Sequence, residues 1–381
     1  MNPELSNFAA RLRELISRRQ PVVGDRLFNE LALELFALQS QNNPVYRRIC
    51  EARRLTPPAA GQWPQIPAVP AAAFKELELT SLAPGERAAV FHSSGTTEQK
   101  PGRHFHNAAS LAVYEASLWN WFGQNVLRSA DNLSASAPST REPAGCIPVF
   151  LTPPPGQAPH SSLVHMFETV RQKLGAADSS FAGKLDEAGA WTLDFDAVLA
   201  ALKPPPAVRR PLLVFGTAFS FVHLLDFLAE KNLKFQLPEN SRVMETGGYK
   251  NRSRTLPKTE LHALITKFLG VPRENILCEY GMSELSSQAY DSAIQNSKFK
   301  IQNSERQFRF PPWARAQLIS PETGREVAEG ETGLIRVFDL ANVFSVAAVQ
   351  TEDLGIRRGD GFELIGRAQL AEPRGCSLMS A

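Results

Sequence analysis

The chain has 381 residues, a length that suits one large domain with subdomains or two separate domains. Its 41 basic and 39 acidic residues leave a formal net charge of +2, so the overall charge favours neither nucleic acid nor a membrane surface as a partner. No stretch approaches the ~20 apolar residues of a membrane span, and the N-terminus lacks the pattern of a signal peptide, which predicts a cytoplasmic protein.

The cysteines are widely separated along the chain and form no C-x-x-C pair. This spacing argues against a zinc site and against a disulfide framework, and it favours reduced thiols. The four cysteines are Cys50, Cys146, Cys278 and Cys376.

Apolar residues recur at helical spacing through the first 55 residues and predict two or three amphipathic helices. The arginines between them are interpreted as part of a solvated helix face rather than as a nucleic-acid patch. Residues 57–70 are rich in proline and are predicted to be extended, leading towards a strand over 88–91. We expect residues 1–70 to form a helical N-terminal extension that packs on the main domain.

A long amphipathic helix is predicted from about Asn107, and an irregular segment over 129–160 is predicted to contain one strand at 146–151. Beyond it, apolar runs alternate with helical patterns, which predicts an α/β architecture with a mostly parallel sheet. The predicted helices are 163–174, 195–202, 219–230 and 259–269, and the predicted strands are 212–215, 243–245 and 276–280.

The hydroxyl-rich loop, residues 93–103, follows the strand predicted at 88–91. Its serines and threonines offer hydroxyl donors beside backbone N–H groups, its glycines allow tight turns, and its cations can balance phosphoryl charge. The spacing differs from the Walker pattern, which needs a lysine directly after the second glycine. An ordinary flexible turn has a similar composition, so the loop alone leaves both interpretations open. The candidate phosphate-binding residues are Ser93, Ser94, Gly95, Thr96, Thr97, Lys100 and Arg103.

Two further segments carry polar residues after apolar runs. Residues 244–250 contain Gly247 and Gly248, which would let the backbone approach a flat ring or a phosphate at the carboxyl edge of the sheet. Residues 350–355 place Asp353 where a carboxylate could grip vicinal hydroxyls. A plain turn remains the alternative interpretation of each segment.

A third segment, residues 279–284, follows the strand predicted at 276–280. It places the ring of Tyr280, the glycine Gly281 and the carboxylate of Glu284 within five residues. This combination suits stacking on a base together with a hard Mg²⁺ ligand, although isolated residues of these types carry little weight.

The order of these motifs resembles the adenylate-forming acyl-activating superfamily. It runs Ser-Ser-Gly-Thr-Thr, Thr-Gly-Gly, Tyr-Gly-Met-Ser-Glu and Thr-Glu-Asp-Leu-Gly, ahead of Gly366-Arg367. Within that superfamily, Arg103-His104, Tyr249-Lys250 and the tail over 373–378 look like the acyl-protein synthetase (LuxE) family. The resemblance covers roughly residues 70–381.

The resemblance implies an α/β fold of layered β-sheets with helices, the large-domain fold of adenylate-forming enzymes, over residues 71–365. It also implies that the carboxyl-terminal small domain is essentially absent and that residues 366–381 are a hinge remnant and a tail. One departure is Glu98, which stands where a glycine commonly follows the paired threonines and which weakens the loop's fit to phosphate unless its side chain points away or assists metal binding.

The resemblance further implies roles for individual residues. Those around ATP are Thr96 and Thr97 at the phosphates, Gly247, Gly248 and Tyr280 with Gly281 around adenine, and Asp353 at the ribose hydroxyls. Those with catalytic roles are Glu284, which would hold Mg²⁺, Arg367, which would help Asp353, and Cys376, which would take the acyl group.

The implied activity is ligation: ATP- and Mg²⁺-dependent adenylation of a carboxylic acid, expected to be a fatty acid, and transfer of the acyl group to a thiol of this chain or of an acyl-accepting protein or reductase. One alternative is an adenylating enzyme of secondary metabolism that uses an aromatic acid or delivers to coenzyme A. The other is a nucleotide- or acyl-binding subunit without turnover.

Overall fold

The computed structural model describes residues 2–18, 21–93, 100–127, 145–203, 210–247, 255–291 and 306–368. Its helices are α1 (Pro3–Ser17), α2 (Asp25–Asn42), α3 (Pro44–Ala52), α4 (Ala73–Glu76), α5 (Ala108–Phe122), α6 (Ser162–Leu174), α7 (Phe195–Leu202), α8 (Ala218–Glu230) and α9 (Lys258–Leu269).

The strands are β1 (Val69–Pro70), β2 (Ala89–His92), β3 (Arg103–His106), β4 (Ile147–Phe150), β5 (Ser180–Phe181), β6 (Gly183–Leu185), β7 (Trp191–Leu193), β8 (Leu212–Thr217), β9 (Arg242–Thr246), β10 (Ile276–Tyr280), β11 (Ala289–Tyr290), β12 (Ala314–Ile319), β13 (Thr332–Asp339), β14 (Ala348–Arg358) and β15 (Gly361–Arg367). The helices predicted over 163–269 are confirmed to within one residue at each end, and the predicted strands to within two. The short strands β5–β7 and β11 and the longer strands β12–β15 were not predicted.

The N-terminal region forms the three helices α1–α3, as the periodicity predicts. The Asn2 side chain caps α1 by accepting hydrogen bonds from the first-turn amides of Glu4 and Leu5. The apolar face of α1 packs on α5, and Asn120 Nδ2 donates to the Ile16 carbonyl at 2.7 Å. The prediction of an extended segment over 57–70 is wrong in part, because proline-led 3₁₀ turns form at Pro57–Ala59 and Trp63–Gln65.

A six-stranded sheet forms the centre of the fold in the order β11-β10-β9-β8-β4-β5. All neighbouring strands in it are parallel except β10 and β11, which confirms the predicted α/β architecture. Alternate residues of the strands enter two hydrophobic clusters, one shared with α5 and α6 and the other with α7, α8 and α9. The sheet is therefore buried on both faces, as parallel sheets generally are.

A second sheet has the order β1-β14-β13-β12, with β15 added beside β14. Apart from the parallel β1–β14 pair it is antiparallel, and it gives the fold a second layer of strands. The β14–β15 pairing places Asp353 directly opposite Arg367. Among the described residues, no helix combines the length and the apolar character needed to cross a membrane.

Gln39 of α2 joins the N-terminal helices to the segment that leads into β14. Its Nε2 donates to the carbonyl of Asn342 at 2.8 Å and to that of Val343 at 3.2 Å, and its Oε1 accepts from the amide of Ala347 at 2.9 Å. The side chain is fully buried. This amide therefore satisfies backbone groups that have no strand partner there.

We expect Gln39→Ala to lower the free energy of unfolding by about 3 kcal/mol, because it removes the side-chain partner of the buried Val343 carbonyl and of the Ala347 amide. Urea unfolding measures the change, and Gln41→Ala, at an exposed position of the same helix, is the control. Equal stability of the two variants would show that the bridge contributes nothing.

Candidate active site

The hydroxyl-rich loop is the connection of a β-hairpin formed by β2 and β3. At its base, the Ser93 amide donates to the Gly102 carbonyl at 3.0 Å, and the Gly102 amide donates to Ser93 Oγ at 2.8 Å. Both ends of the loop are therefore fixed by pairing. The sequence predicted the strand before the loop but not the strand after it. The predicted site residues Ser94, Gly95, Thr96 and Thr97, and also Glu98, lie outside the described residues.

Glu284 lies against the base of this loop. A Cβ atom on Gly102 would stand 3.0 Å from Glu284 Oε1 and 2.8 Å from Ser93 Oγ, so a side chain at this position would displace one of these two groups. Glu284 is buried, and Ser283 Oγ donates to its Oε2 at 3.1 Å. Burial raises the pKa of Glu284, while Ser283 and the positive charges of Arg367 and Lys75 oppose that rise.

The acidic loop, residues 281–288, is held from two sides. His104 of β3 bonds through Nδ1 to the Ser283 carbonyl at 2.8 Å. Burial lowers the pKa of His104 to about 4, so the ring is neutral and its Nδ1–H is the donor. From the second sheet's side, Asn342 Nδ2 donates to the Glu284 carbonyl at 2.9 Å. The backbone that carries Glu284 is thereby tied to the hairpin and to the segment before β14.

Tyr280, Asp353 and Arg367 form a connected group beside Glu284. Tyr280 Oη donates to Asp353 Oδ2 at 2.8 Å, and Arg367 Nε lies 3.4 Å from Asp353 Oδ1. The Asp353 side chain is 19% exposed, whereas that of Arg367 is 76% exposed. Both carboxylate oxygens of Asp353 thus have a partner, and the carboxylate is still partly open to solvent. It lies next to the segment that carries Glu284.

The ring of Tyr280 is enclosed by aromatic side chains. Its centroid lies 5.4 Å from that of Phe362, 6.0 Å from Phe308 and 6.2 Å from Phe310, and the contacts with all three are edge-to-face. Such pairs stabilise ring orientation beyond simple area burial. The position of Tyr280 is therefore fixed by packing as well as by its hydroxyl.

Three other predicted residues are described. Gly247 follows β9 with φ +68°, a conformation that favours glycine, while its neighbour Gly248 lies outside the described residues. Lys100 is exposed. Arg103 already has a protein partner, since its Nη1 lies 3.0 Å from Glu78 Oε1, so its contribution to phosphate binding stays a prediction. Cys376 also lies outside the described residues.

Within the described part of the chain, no three His, Cys, Asp or Glu side chains come together as a ready metal site. Mg²⁺ does not require such a cage, because it commonly binds one or two carboxylates and completes its shell with substrate phosphates and water. A single buried carboxylate at the base of the hydroxyl-rich loop fits that chemistry.

Sequence reasoning assigned no role to Glu279, a buried carboxylate one residue before Tyr280. It stands beside Thr246 in the β9–β10 pairing and opposite Tyr290 in the β10–β11 pairing, and Thr246 Oγ1 donates to its Oε2. Burial raises the pKa of Glu279 to about 7, with the charge of Glu245 adding to the rise and the Thr246 hydrogen bond opposing it. Sequence reasoning also assigned no role at the site to His104 or Lys75. The His-x-His pattern at 104–106 is a signal that could have drawn attention to the first of them.

A family model for "Acyl-protein synthetase, LuxE" matches residues 164–381. The chain belongs to the acyl-protein synthetase (LuxE) family. Two curated relatives, both named long-chain-fatty-acid–luciferin-component ligase, are 24% identical to it. The match with the one from Aliivibrio fischeri runs over 201 residues, 50% of each chain, and that with the one from Vibrio harveyi over 197 residues, 49% of each chain. The chain thus matches about half the length of these relatives.

Solved structures of adenylate-forming enzymes share the fold of this LuxE family chain. A 2-hydroxyisobutyryl-CoA ligase in an open conformation, in complex with an acyl adenylate and CoA, aligns with a TM-score of 0.61 and 12% identity over 90% of this chain and 69% of that one. Its postadenylation state aligns with a TM-score of 0.63 and 13% identity, over 90% and 67%. The large-domain fold of adenylate-forming enzymes, expected from the motifs, is confirmed.

The raised pKa of Glu279 predicts a pH-dependent stability. Between its ordinary pKa of 4.5 and about 7, the unfolded chain loses this proton while the folded chain keeps it, so stability falls as pH rises through that window. We expect the free energy of unfolding of Glu279→Gln, relative to that of the parent, to rise by about 3 kcal/mol from pH 4.5 to 8, since one pKa unit corresponds to about 1.4 kcal/mol.

Urea unfolding of both proteins across this pH range measures the difference. Glu187→Gln, at an exposed position, is the control and should follow the parent. A difference between Glu279→Gln and the parent that does not vary with pH would mean that Glu279 is ionised in the folded protein throughout.

Proposed function

We propose that this chain is an ATP- and Mg²⁺-dependent ligase that adenylates a carboxylic acid and passes the acyl group to a thiol. The fatty acid in the names of the relatives suggests an acyl chain as the substrate. The observation that carries the proposal is the position of Glu284, a buried carboxylate at the base of the hydroxyl-rich loop and beside the Tyr280–Asp353–Arg367 group.

ATP would lie along these residues. The amides and hydroxyls of the hydroxyl-rich loop would hold its phosphates, with Lys100 and Arg103 balancing their charge. Asp353 would accept hydrogen bonds from the ribose hydroxyls, and its link to Arg367 keeps a cation beside it. Gly247, Gly248 and Gly281 would leave room for adenine next to Tyr280.

Glu284 would hold Mg²⁺, and the bound ion would neutralise charge on the phosphate oxygens. The residues of the chain position the reactants. The substrate carboxylate oxygen attacks the α-phosphorus of ATP, the bond to the bridging oxygen of the β-phosphate breaks, and pyrophosphate leaves. A thiolate then attacks the acyl carbon, the bond from that carbon to the adenylate oxygen breaks, and AMP leaves.

Cys376 is the proposed first acceptor, with Arg374 two residues away to favour the thiolate. An acyl-accepting protein or a reductase would then receive the group. A cytoplasmic location is part of the proposal, and it is supported by Cys50, Cys146 and Cys278, which are free thiols in the described part of the chain.

The metal role of Glu284 predicts the effect of Glu284→Gln, which removes the negative charge and keeps the shape. We expect acid-dependent ATP–pyrophosphate exchange to fall ~10²–10³-fold, the usual consequence of losing one preorganised electrostatic contact. Glu322→Gln, at an exposed position, is the control and should exchange like the parent. Normal exchange by a folded Glu284→Gln protein would place the metal elsewhere.

The thiol role of Cys376 separates adenylation from acyl capture. Cys376→Ser should keep pyrophosphate exchange but lose the hydroxylamine-sensitive acyl adduct, because a serine hydroxyl is a far weaker nucleophile than a thiolate. Mass spectrometry of the parent after incubation with ATP and acid locates the adduct.

Cys146→Ser is the matched control for Cys376→Ser, since burial raises the pKa of the Cys146 thiol and so disfavours its reactive form. That variant should carry the adduct as the parent does. A parent protein that supports exchange and yet never carries an adduct at Cys376 would exclude this acceptor.

A further inference from the structure

The short helix α4 carries a lysine, Lys75, to which the proposed function gives no role. The chain enters α4 from β1, which pairs in parallel with β14. Just before the helix, the Ala71 amide donates to the Gln350 carbonyl of β14 at 2.9 Å. Gln350 lies three residues before Asp353 on the same strand. The start of α4 is therefore fixed to the strand that carries the carboxylate proposed for the ribose.

The first turn of α4 is also fixed to the base of the hydroxyl-rich loop. A Cβ atom on Gly102 would stand 3.4 Å from Phe74 Cβ. The same atom would stand 2.8 Å from Ser93 Oγ and 3.0 Å from Glu284 Oε1, so three side chains converge on one point. The ring of Phe74 is fully buried and lies edge-to-face with that of His104 at 6.1 Å. The packing that positions Glu284 thus also holds α4.

Lys75 follows Phe74 directly and is half-buried. Burial raises the pKa of Glu284, and the positive charge of Lys75 is one of the influences that oppose this rise. Because Coulomb interactions weaken with distance, the ammonium group lies near that carboxylate. A cation beside the proposed metal ligand adds positive charge at the edge of the loop where the phosphates of ATP would lie.

The order of groups in ATP indicates which phosphate a cation on α4 would meet. The α-phosphate lies between the ribose and the β- and γ-phosphates. The proposed function places the ribose at Asp353 and the Mg²⁺-bound phosphates at Glu284 and the hydroxyl-rich loop. Since α4 is fixed to β14 and to the point where Glu284 meets that loop, it lies along the span between these two ends. The α-phosphate belongs to the same span.

Adenylation takes place at the α-phosphorus. The attacking group is a carboxylate anion, and the α-phosphoryl group that it approaches is also negatively charged. These two anions repel each other, so a fixed ammonium group beside them stabilises the transition state more than the separated reactants. Because α4 is held by both β14 and the hairpin, such a group would need little reorganisation when the reaction occurs.

We infer that Lys75 contacts the α-phosphoryl oxygens of ATP and is a catalytic residue of adenylation. This inference rests on the proposed function. The ammonium group donates hydrogen bonds to those oxygens while the substrate oxygen attacks phosphorus and pyrophosphate leaves. No covalent bond to the lysine forms or breaks.

Lys75→Met tests the inference because it removes the charge and keeps an unbranched side chain. The assay is ATP–pyrophosphate exchange by the full chain with octanoic, dodecanoic and benzoic acids. We expect kcat to fall ~10²-fold, while KM for ATP changes by less than ~10-fold. Lys75→Arg restores a positive charge and should exchange within ~10-fold of the parent. Lys173→Met, at an exposed position of α6, is the matched control and should exchange like the parent.

A binding measurement separates contact with the α-phosphate from an effect on Glu284. AMP carries only the α-phosphate and adenosine carries none, so the ratio of their dissociation constants reports the contribution of that phosphate. Calorimetric titration without Mg²⁺ keeps the metal out of the comparison. AMP should bind the parent more tightly than adenosine does, and Lys75→Met should lower that advantage at least ~10-fold, because a hydrogen bond from a charged donor is lost. Adenosine should bind both proteins equally.

The inference is overturned if Lys75→Met exchanges like the parent or if Lys75→Arg is as impaired as Lys75→Met. An unchanged ratio of AMP to adenosine affinity also overturns it, because Lys75 would then act through Glu284 and not on the phosphate. If the parent exchanges with none of the acids, the proposed function fails, and the titrations alone decide the inference. An AMP advantage lowered by Lys75→Met then supports it, and an unchanged advantage or no binding of AMP overturns it.

Discussion

The geometry of the candidate site depends on one buried carboxylate, that of Asp339 at the end of β13. It accepts hydrogen bonds from the Ser286 amide at 2.9 Å, from Ser287 Oγ at 2.7 Å and from the Ala341 amide at 3.0 Å. Burial raises the pKa of Asp339 to about 6, and these donors oppose the rise, so the group is mostly ionised at neutral pH. Since Ser287 Oγ also lies 3.0 Å from Ser117 Oγ of α5, the acidic loop, α5 and the second sheet are held in one network. That network fixes the position of Glu284.

The layered α/β core could be predicted from the sequence because its signals are local. Helical spacing placed α6 and α9 to within one residue, and the apolar run 276–280 is β10 itself. Local pattern also explains why the prediction for residues 57–70 is wrong in part. Their prolines favour an extended chain, but a φ fixed near −65° suits 3₁₀ turns equally well. The short strands β5–β7 carry too few residues for periodicity to show.

The contacts of the site could not be predicted in the same way, because they join residues far apart in the chain. Tyr280 and Asp353 are separated by 73 positions, and only the folding of β14 beside β15 brings Arg367 to the same carboxylate. The motif order suggested which residues matter but not which partners they have. Glu78, which holds Arg103, has no signature of its own. A pKa displaced by burial, as at Glu279 and His104, depends on neighbours from several elements and is absent from any one segment of sequence.

Glu279 and Glu284 lie five residues apart and are both buried, but different neighbouring groups act on the pKa of each carboxyl. Glu284 faces the hydroxyl-rich loop; burial raises its pKa, and the charges of Arg367 and Lys75 oppose that rise in favour of the ionised form that a cation needs. Burial raises the pKa of Glu279 to about 7, with the charge of Glu245 adding to the rise and the Thr246 hydroxyl opposing it, so this carboxyl keeps its proton over most of the acidic range. Two carboxyls whose pKa values are displaced by different neighbours can do different work within one site. On this segment Glu284 lies against the base of the hydroxyl-rich loop, whereas Glu279 lies within the sheet, opposite Tyr290 and hydrogen-bonded by Thr246.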